Sequence, residues 1–181
     1  MRIYFDTVVF IDYLSARGNA ILRTADRRGR APAAIAADAE QLFEAVRRTH
    51  IGATSCLTYY EVEEALYRLL AQSAKGVSRA DTLLIPAARS ITTQVQIVID
   101  LFNISVLDLT AGTIRLQLQN LELQTRGVRA ANALHVATAI AFDANLIVSM
   151  DTELLHLDGF LLNPRGRKIL CYDTDAALRV V

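Results

Sequence analysis

Cysteine is scarce in this chain: Cys56 and Cys171 are the only two among 181 residues. They match no zinc-ligand spacing and build no disulfide framework of the secreted kind. Both lie in apolar, strand-like runs and read as buried free thiols. An excess of either charge is also missing, because Lys plus Arg and Asp plus Glu each number 19. That excludes a global basic field advertising nucleic-acid binding, although a local basic stripe would suffice for it. No apolar run approaches the ~18 residues of a membrane span. The opening "MRIYFDTVVFIDYL" carries an early acid where a signal peptide keeps its apolar stretch and cleavage site. The sequence therefore predicts a cytoplasmic protein with no membrane contact. Internal repeats and low-complexity linkers are absent too.

What is present is an apolar share of 52% with 21% charged residues, which argues for a well-buried α/β or helical protein and against disorder. A chain of this length predicts one domain over 1–181.

Short β-branched runs alternate with longer helical patterns, the signature of βαβ units around a parallel sheet. Strands are predicted at "RIYF" (2–5), "IGATS" (51–55), "ISVLDL" (104–109), "LIVSM" (146–150) and "KILCY" (168–172). Helices are predicted over 8–16, over 59–76 with Gly76 as its stop, over 110–127 with a cap at each end, and over 129–144. Two stretches exceed the minimum for such a fold. Residues 19–50 hold an Ala-rich helix near 34–49 after the loop "DRRGRAP", and residues 78–102 hold a helix around 87–102. Neither could bury a core alone, so both are helical elaborations of the one domain.

In an open parallel sheet the carboxyl ends of the strands converge on one edge, and ligands bind there at the topological switch point. Asp6 ends the first strand, Glu61 lies in the first turn of the helix after the second, Asn132 opens the helix before the fourth, and Asp151 follows that strand. Three carboxylates and one amide are thus delivered to one region. Close carboxylates repel unless a cation neutralises them, and oxygen donors without Cys or paired His point to Mg²⁺ or Mn²⁺.

Each residue also has a plainer role. Asp6 is suited to a turn or helix cap, Glu61 to the positive end of its helix, and Asn132 to an N-cap. Glu64 is set to pair with Arg68 at i,i+4, and Glu63 to face solvent. His135, one turn beyond Asn132, is assigned to packing or helix–helix hydrogen bonding. His50 and His156 carry no pattern. Joint placement, not any single residue, makes the site.

These segments resemble PIN domains, the Mg²⁺-dependent ribonuclease fold that includes VapC-type toxins of bacterial toxin–antitoxin pairs. "IYFDTVVFIDYL" is similar to the family's opening strand and first acid, with Thr7 as its usual neighbour. "TSCLTYYEVEEAL" is similar to the segment that carries the second acid, at Glu61. "ANALHVATAIAFDANLIVSMD" is similar to the third and fourth segments, ending in Ser149 and Asp151. The resemblance runs from residue 2 to about 172. It implies a three-layer α/β/α sandwich on a parallel five-stranded sheet in the order 3-2-1-4-5. It also implies a site of Asp6, Glu61, Asn132 and Asp151 holding Mg²⁺ or Mn²⁺, supported by Thr7, Ser149 and Glu64. Two departures stand out. Val8 occupies a position where the family often has Asn, and Asn132 occupies that of the third acid. An amide oxygen can coordinate a hard cation but brings no charge and cannot act as a base. That leaves two accounts: a cleavage activity weakened or lost, or an Asp→Asn change made to disarm a nuclease.

The resemblance further implies single-stranded RNA as substrate, cut to a 3′-hydroxyl and a 5′-phosphate, a homodimer, and an antitoxin partner laid across the site. Basic clusters available to phosphates are Arg27, Arg28 and Arg30; Arg126 and Arg129; and Arg165, Arg167 and Lys168. Arg126 and Arg129, just before the Asn132 helix, are the first choice. The competing class is a PIN-fold module that binds RNA or protein without cutting, which Asn132 favours. A phosphatase or receiver domain ranks lower, because no second acid stands two residues after Asp6.

Overall fold

The computed structural model describes residues 1–16, 29–74 and 81–181. Gly76, Arg27 and Arg28 lie outside them, as do the first residues of both predicted elaborations.

Five parallel strands form the body of the sheet: β1 (Arg2–Phe5), β2 (Ile51–Ser55), β3 (Ser105–Leu107), β4 (Leu146–Val148) and β6 (Lys168–Tyr172). A two-residue strand, β5 (Leu161–Leu162), adds antiparallel to β6, giving the order β3-β2-β1-β4-β6-β5. The predicted order holds for the five parallel strands, but the sheet has six strands. The sixth is too short to leave an alternating pattern in sequence.

Alternation along the strands places a core on each face. In β1, Ile3 and Phe5 join one apolar cluster and Tyr4 the other; in β4, Leu146 and Val148 oppose Ile147. The first face is covered by α1 (Thr7–Ala16), α2 (Pro32–Thr49), α3 (Leu57–Ser73), α4 (Asp81–Leu101) and α9 (Thr174–Leu178). The second is covered chiefly by α6 (Leu121–Thr125), α7 (Ala130–Ala141) and α8 (Thr152–Leu155). Burying a Phe or Leu contributes roughly 1.5–3 kcal/mol relative to exposure, and the first face concentrates that gain in Phe5, Phe10, Phe43 and Phe102. Gly52 lets α2 approach the sheet, since a Cβ there would lie 2.6 Å from Cγ1 of Val46.

Several boundaries differ from the sequence reading. The helix predicted over 110–127 is two: α5 (Ala111–Gln119) and α6, separated by Asn120. Asn120 adopts an extended backbone (φ −78°, ψ 107°), and its side chain accepts from the Leu123 amide. Such local bonding is how Asn competes with a continuing helix. The outer caps are as expected. Thr110 accepts from the Thr113 amide, and Gly127 (φ 66°) closes the C-terminus with Val128 N–H bonded to Leu123 C=O. The helix expected to begin at 87 begins at Asp81 and contains Pro86. Its Thr82–Leu101 stretch is, among the described residues, long and apolar enough by length and composition to cross a membrane. Here its Ala88, Val95, Val98 and Ile99 face the core, and Arg89 pairs with Glu63 of α3 at 3.1 Å, so Glu63 is not simply solvated. Both cysteines are free thiols; Cys171 is buried and Cys56 half-buried at the start of α3.

Candidate metal centre at the C-terminal edge of the sheet

From β1 the chain crosses to β2 and β3 on one side, whereas β4 leads to β6 on the other, so the switch point lies between β1 and β4. Asp6 leaves β1 there and Ser149 to Asp151 leave β4. Asp6, Glu61, Asn132 and Asp151 line one cleft of about 440 Å³ at this edge, with Thr7, Glu64 and Arg68.

Asp6 is 5% exposed. One carboxylate oxygen accepts from the Thr7 amide at 2.8 Å and the other from the Ser149 hydroxyl at 2.6 Å. Ser149 Oγ in turn accepts from the Asp151 amide at 2.9 Å, so this serine ties the ends of β1 and β4 together. Burial pushes the Asp6 carboxyl above its ordinary range, against the opposing influence of His135 and the Ser149 hydrogen bond. A cation beside this buried carboxylate would offset the cost of ionising it.

Glu61 belongs to the second turn of α3, because that helix begins at Leu57, two residues before the predicted start. It therefore does not serve the helix N-terminus. Its Oε2 accepts from the Thr7 hydroxyl and lies 2.8 Å from Nε2 of His135. Burial alone would raise the Glu61 pKa, but the hydrogen bond and charge of His135, with the Thr7 hydroxyl, hold it below the ordinary value.

His135 is 1% exposed and groups with Asp6 and Glu61, and its bond from α7 to Glu61 of α3 is the helix–helix hydrogen bond the sequence reading assigned to it. Its Nδ1 meets the Tyr4 hydroxyl at 2.7 Å, and its Nε2 lies 3.7 Å from Asp6 Oδ1. Burial acts to lower its pKa, yet the Glu61 hydrogen bond and the Asp6 and Glu61 charges raise it overall. The signal for this residue was its i+3 spacing from Asn132 on one helix face. Asp6, Glu61 and His135 each offer a ligand atom within 4.8 Å of the others. That separation suits donors shared by one ion at ~2.0–2.3 Å; the two carboxylates suit Mg²⁺ or Mn²⁺, whereas ligation by the imidazole would favour a softer ion.

The other half of the cleft is already paired. Asn132, in the first turn of α7, donates through Nδ2 to Asp151 Oδ2 at 3.2 Å and to Oε2 of Glu153. Its amide thus offers a donor to two acids, where the sequence reading expected an oxygen ligand. Asp151 caps α8 by accepting from the Glu153 amide at 2.9 Å. Glu153 Oε1 accepts from the Arg129 amide at 3.0 Å, and the Arg129 guanidinium lies 3.4 Å from Glu153 and 3.9 Å from Asp151. Glu153 was not anticipated; its only signal was being an acid two residues after Asp151. Glu64 lines the cleft but pairs with Arg68 at 2.7 Å, as its spacing predicted. Arg126 lies outside the cleft, paired with Glu122 at 2.9 Å and stacked over Phe160. Arg30 pairs with Asp38 and Arg165 with Asp143, so neither basic cluster is simply a free charged patch.

Fold and site together define an α/β sandwich with a mostly parallel sheet and an acid-lined cleft at its switch point. No family model matches the sequence, and no curated protein sequence matches it. Among solved structures the chain is similar to the crystal structure of VapBC2 from Rickettsia felis bound to a DNA fragment from their promoter. Identity is 12% and the TM-score 0.51, over 96% of this chain and 98% of that one. At that identity the likeness is one of fold.

Proposed function

We propose that this chain is a PIN-like, metal-dependent endoribonuclease acting on single-stranded RNA, the toxin of a toxin–antitoxin pair, folded as one domain over 1–181. The observation that carries this reading is the convergence of Asp6, Glu61 and Asp151 on one cleft at the sheet's switch point. The fold likeness to VapBC2 supports the toxin–antitoxin assignment and a partner protein, with homodimerisation and a cytoplasmic setting as parts of the same reading.

Asp6, Glu61 and Asp151 would hold Mg²⁺ or Mn²⁺, with His135 beside them. Such a cation supplies charge neutralisation at the scissile phosphate and activation of water. The chain's own residues do the positioning. Ser149 and the Thr7 amide lock both oxygens of Asp6, and the Thr7 hydroxyl fixes the rotamer of Glu61. Tyr4 anchors His135 from the far side. Glu61, held below its ordinary range by His135 and Thr7, is suited to ligating a cation rather than to taking a proton from water. Asn132 restrains Asp151 and Glu153 without adding charge, and Arg129, 77% exposed, is placed to meet a phosphate at the rim.

A second reading, a PIN-fold module that binds RNA or protein without cutting, is favoured by Asn132 itself, whose amide nitrogen faces Asp151 and Glu153. The deciding experiment incubates labelled mixed-sequence RNA with the protein in Mn²⁺, with EDTA and Asp6→Asn as controls. EDTA-sensitive cleavage lost in Asp6→Asn is expected. Intact RNA with the wild-type chain and with Asn132→Asp, on several RNAs, would favour the binding module instead.

A further inference from the structure

Tyr60 lines the cleft beside Glu61 with 65% of its surface exposed. Its neighbour Tyr59 is half-buried and hydrogen-bonded to Gln96 of α4, so successive positions of α3 send one ring into packing and the other to the cleft. Solvent-exposed to this degree, the Tyr60 ring adds little to the fold. Arg68, two turns further along α3, lines the same cleft and is 73% exposed.

A matching arrangement lies beyond the other wall. Asn132 reaches Glu153, and Glu153 lines a second depression with Arg126 and His156. There the Arg126 guanidinium lies 3.4 Å over the ring of Phe160, which is 49% exposed. A chain of contacts therefore leads from Tyr60 in the cleft, through Asn132 and Glu153, to the Arg126–Phe160 pair.

We infer that Tyr60 and the Arg126–Phe160 pair are base-stacking platforms on either side of the acid cluster, forming a track for unpaired nucleotides; this rests on the nuclease reading above. Acids repel the phosphate chain except where a cation or arginine offsets them, so the backbone is pinned at the cluster and the bases turn to the flanking rings. Aromatic faces accept any base and reject a duplex, whose bases are already stacked. A docking protein helix would require a continuous apolar stripe. Along the cleft the apolar Val8, Ile11, Ala65 and Met150 share the lining with Asp6, Glu61, Glu64 and Arg68, and Phe160 lies under a guanidinium.

The chain contains no tryptophan, so Tyr60→Trp and Phe160→Trp each install a single fluorescent reporter. The probe is a fluorescein-labelled single-stranded RNA of about twelve nucleotides and its duplex, titrated in Ca²⁺ with RNA integrity checked on a gel. Binding is followed by anisotropy and stacking by tryptophan quenching. The single strand should quench both reporters and the duplex neither. Tyr60→Ala should weaken single-strand binding about tenfold to a hundredfold with an unchanged melting temperature, and Tyr60→Phe should restore it. Single-strand binding without quenching, and with full affinity in Tyr60→Ala, overturns the platforms and leaves the nuclease reading standing; it would assign the rings to a protein partner. Absence of any RNA binding by the wild-type protein overturns both.

Discussion

The amide nitrogen of Asn132 donates to the carboxylate of Asp151 at 3.2 Å, and the same group reaches Glu153. A carboxylate at 132 would replace that donor with a third negative charge. Asn132→Asp should therefore lower the melting temperature in EDTA, by an amount corresponding to more than ~1 kcal/mol, since a charge-assisted hydrogen bond becomes a like-charge contact. Mn²⁺ should reverse the loss and raise any RNA cleavage above wild type. Melting curves of both proteins, with and without Mn²⁺, check this; identical curves in EDTA would remove Asn132 from the acid cluster.

The His135–Glu61 pair gives metal-free stability a defined pH window. The His135 pKa is raised, so its contribution is full below the unfolded value of about 6.5 and fades as pH climbs through the folded one. Glu61 is lowered, so its contribution is present above about 4.3 and fades as pH falls through the folded value. Urea unfolding in EDTA from about pH 6 to about pH 9 should show declining wild-type stability and a flatter profile for His135→Gln. Parallel profiles would mean that folding leaves the His135 pKa unshifted.

The two thiols should react at very different rates. Burial pushes the Cys171 thiol up to about 12, with the Asp158 charge adding to the effect, whereas Cys56 is half-buried at the start of α3. A thiol reagent near pH 8 should label about one cysteine per folded chain, at Cys56, and both after denaturation. Mass spectrometry of digested protein locates the label; prompt labelling at Cys171 would contradict its burial.

Gly52→Ala should destabilise the protein by about 1–3 kcal/mol, because the added methyl meets the branched Val46 side chain and overpacks α2 against β2. Pairing it with Val46→Ala should recover part of the loss in denaturant titrations. Full stability of Gly52→Ala alone would show that α2 shifts freely.

Much of this was legible before any coordinates. "RIYF" and "IGATS" match β1 and β2 in both bounds, since each is a short apolar run flanked by a polar residue. Asp6, Glu61, Asn132 and Asp151 were placed at strand ends and early helix turns, and the cleft gathers all four. What escaped notice is non-local or very short. The sequence reading assigns His135 to helix–helix hydrogen bonding, but the identity of its partners, Tyr4 and Glu61, 131 and 74 residues away, has no local signal. The direction of the Asn132 amide depends on Glu153, whose position follows from the turn at Asp151. The strand β5 and helices α8 and α9 have two, four and five residues, too few to show a period.

The brevity of the outermost strands bears on how copies of this chain could meet. At one margin β5 offers two residues of backbone, and at the other β3 offers three. Exposed strand edges are the usual templates for intermolecular pairing and aggregation, and edges this short leave little ladder to extend. A sheet continuing from one molecule into the next would gain few hydrogen bonds from either of these outermost strands.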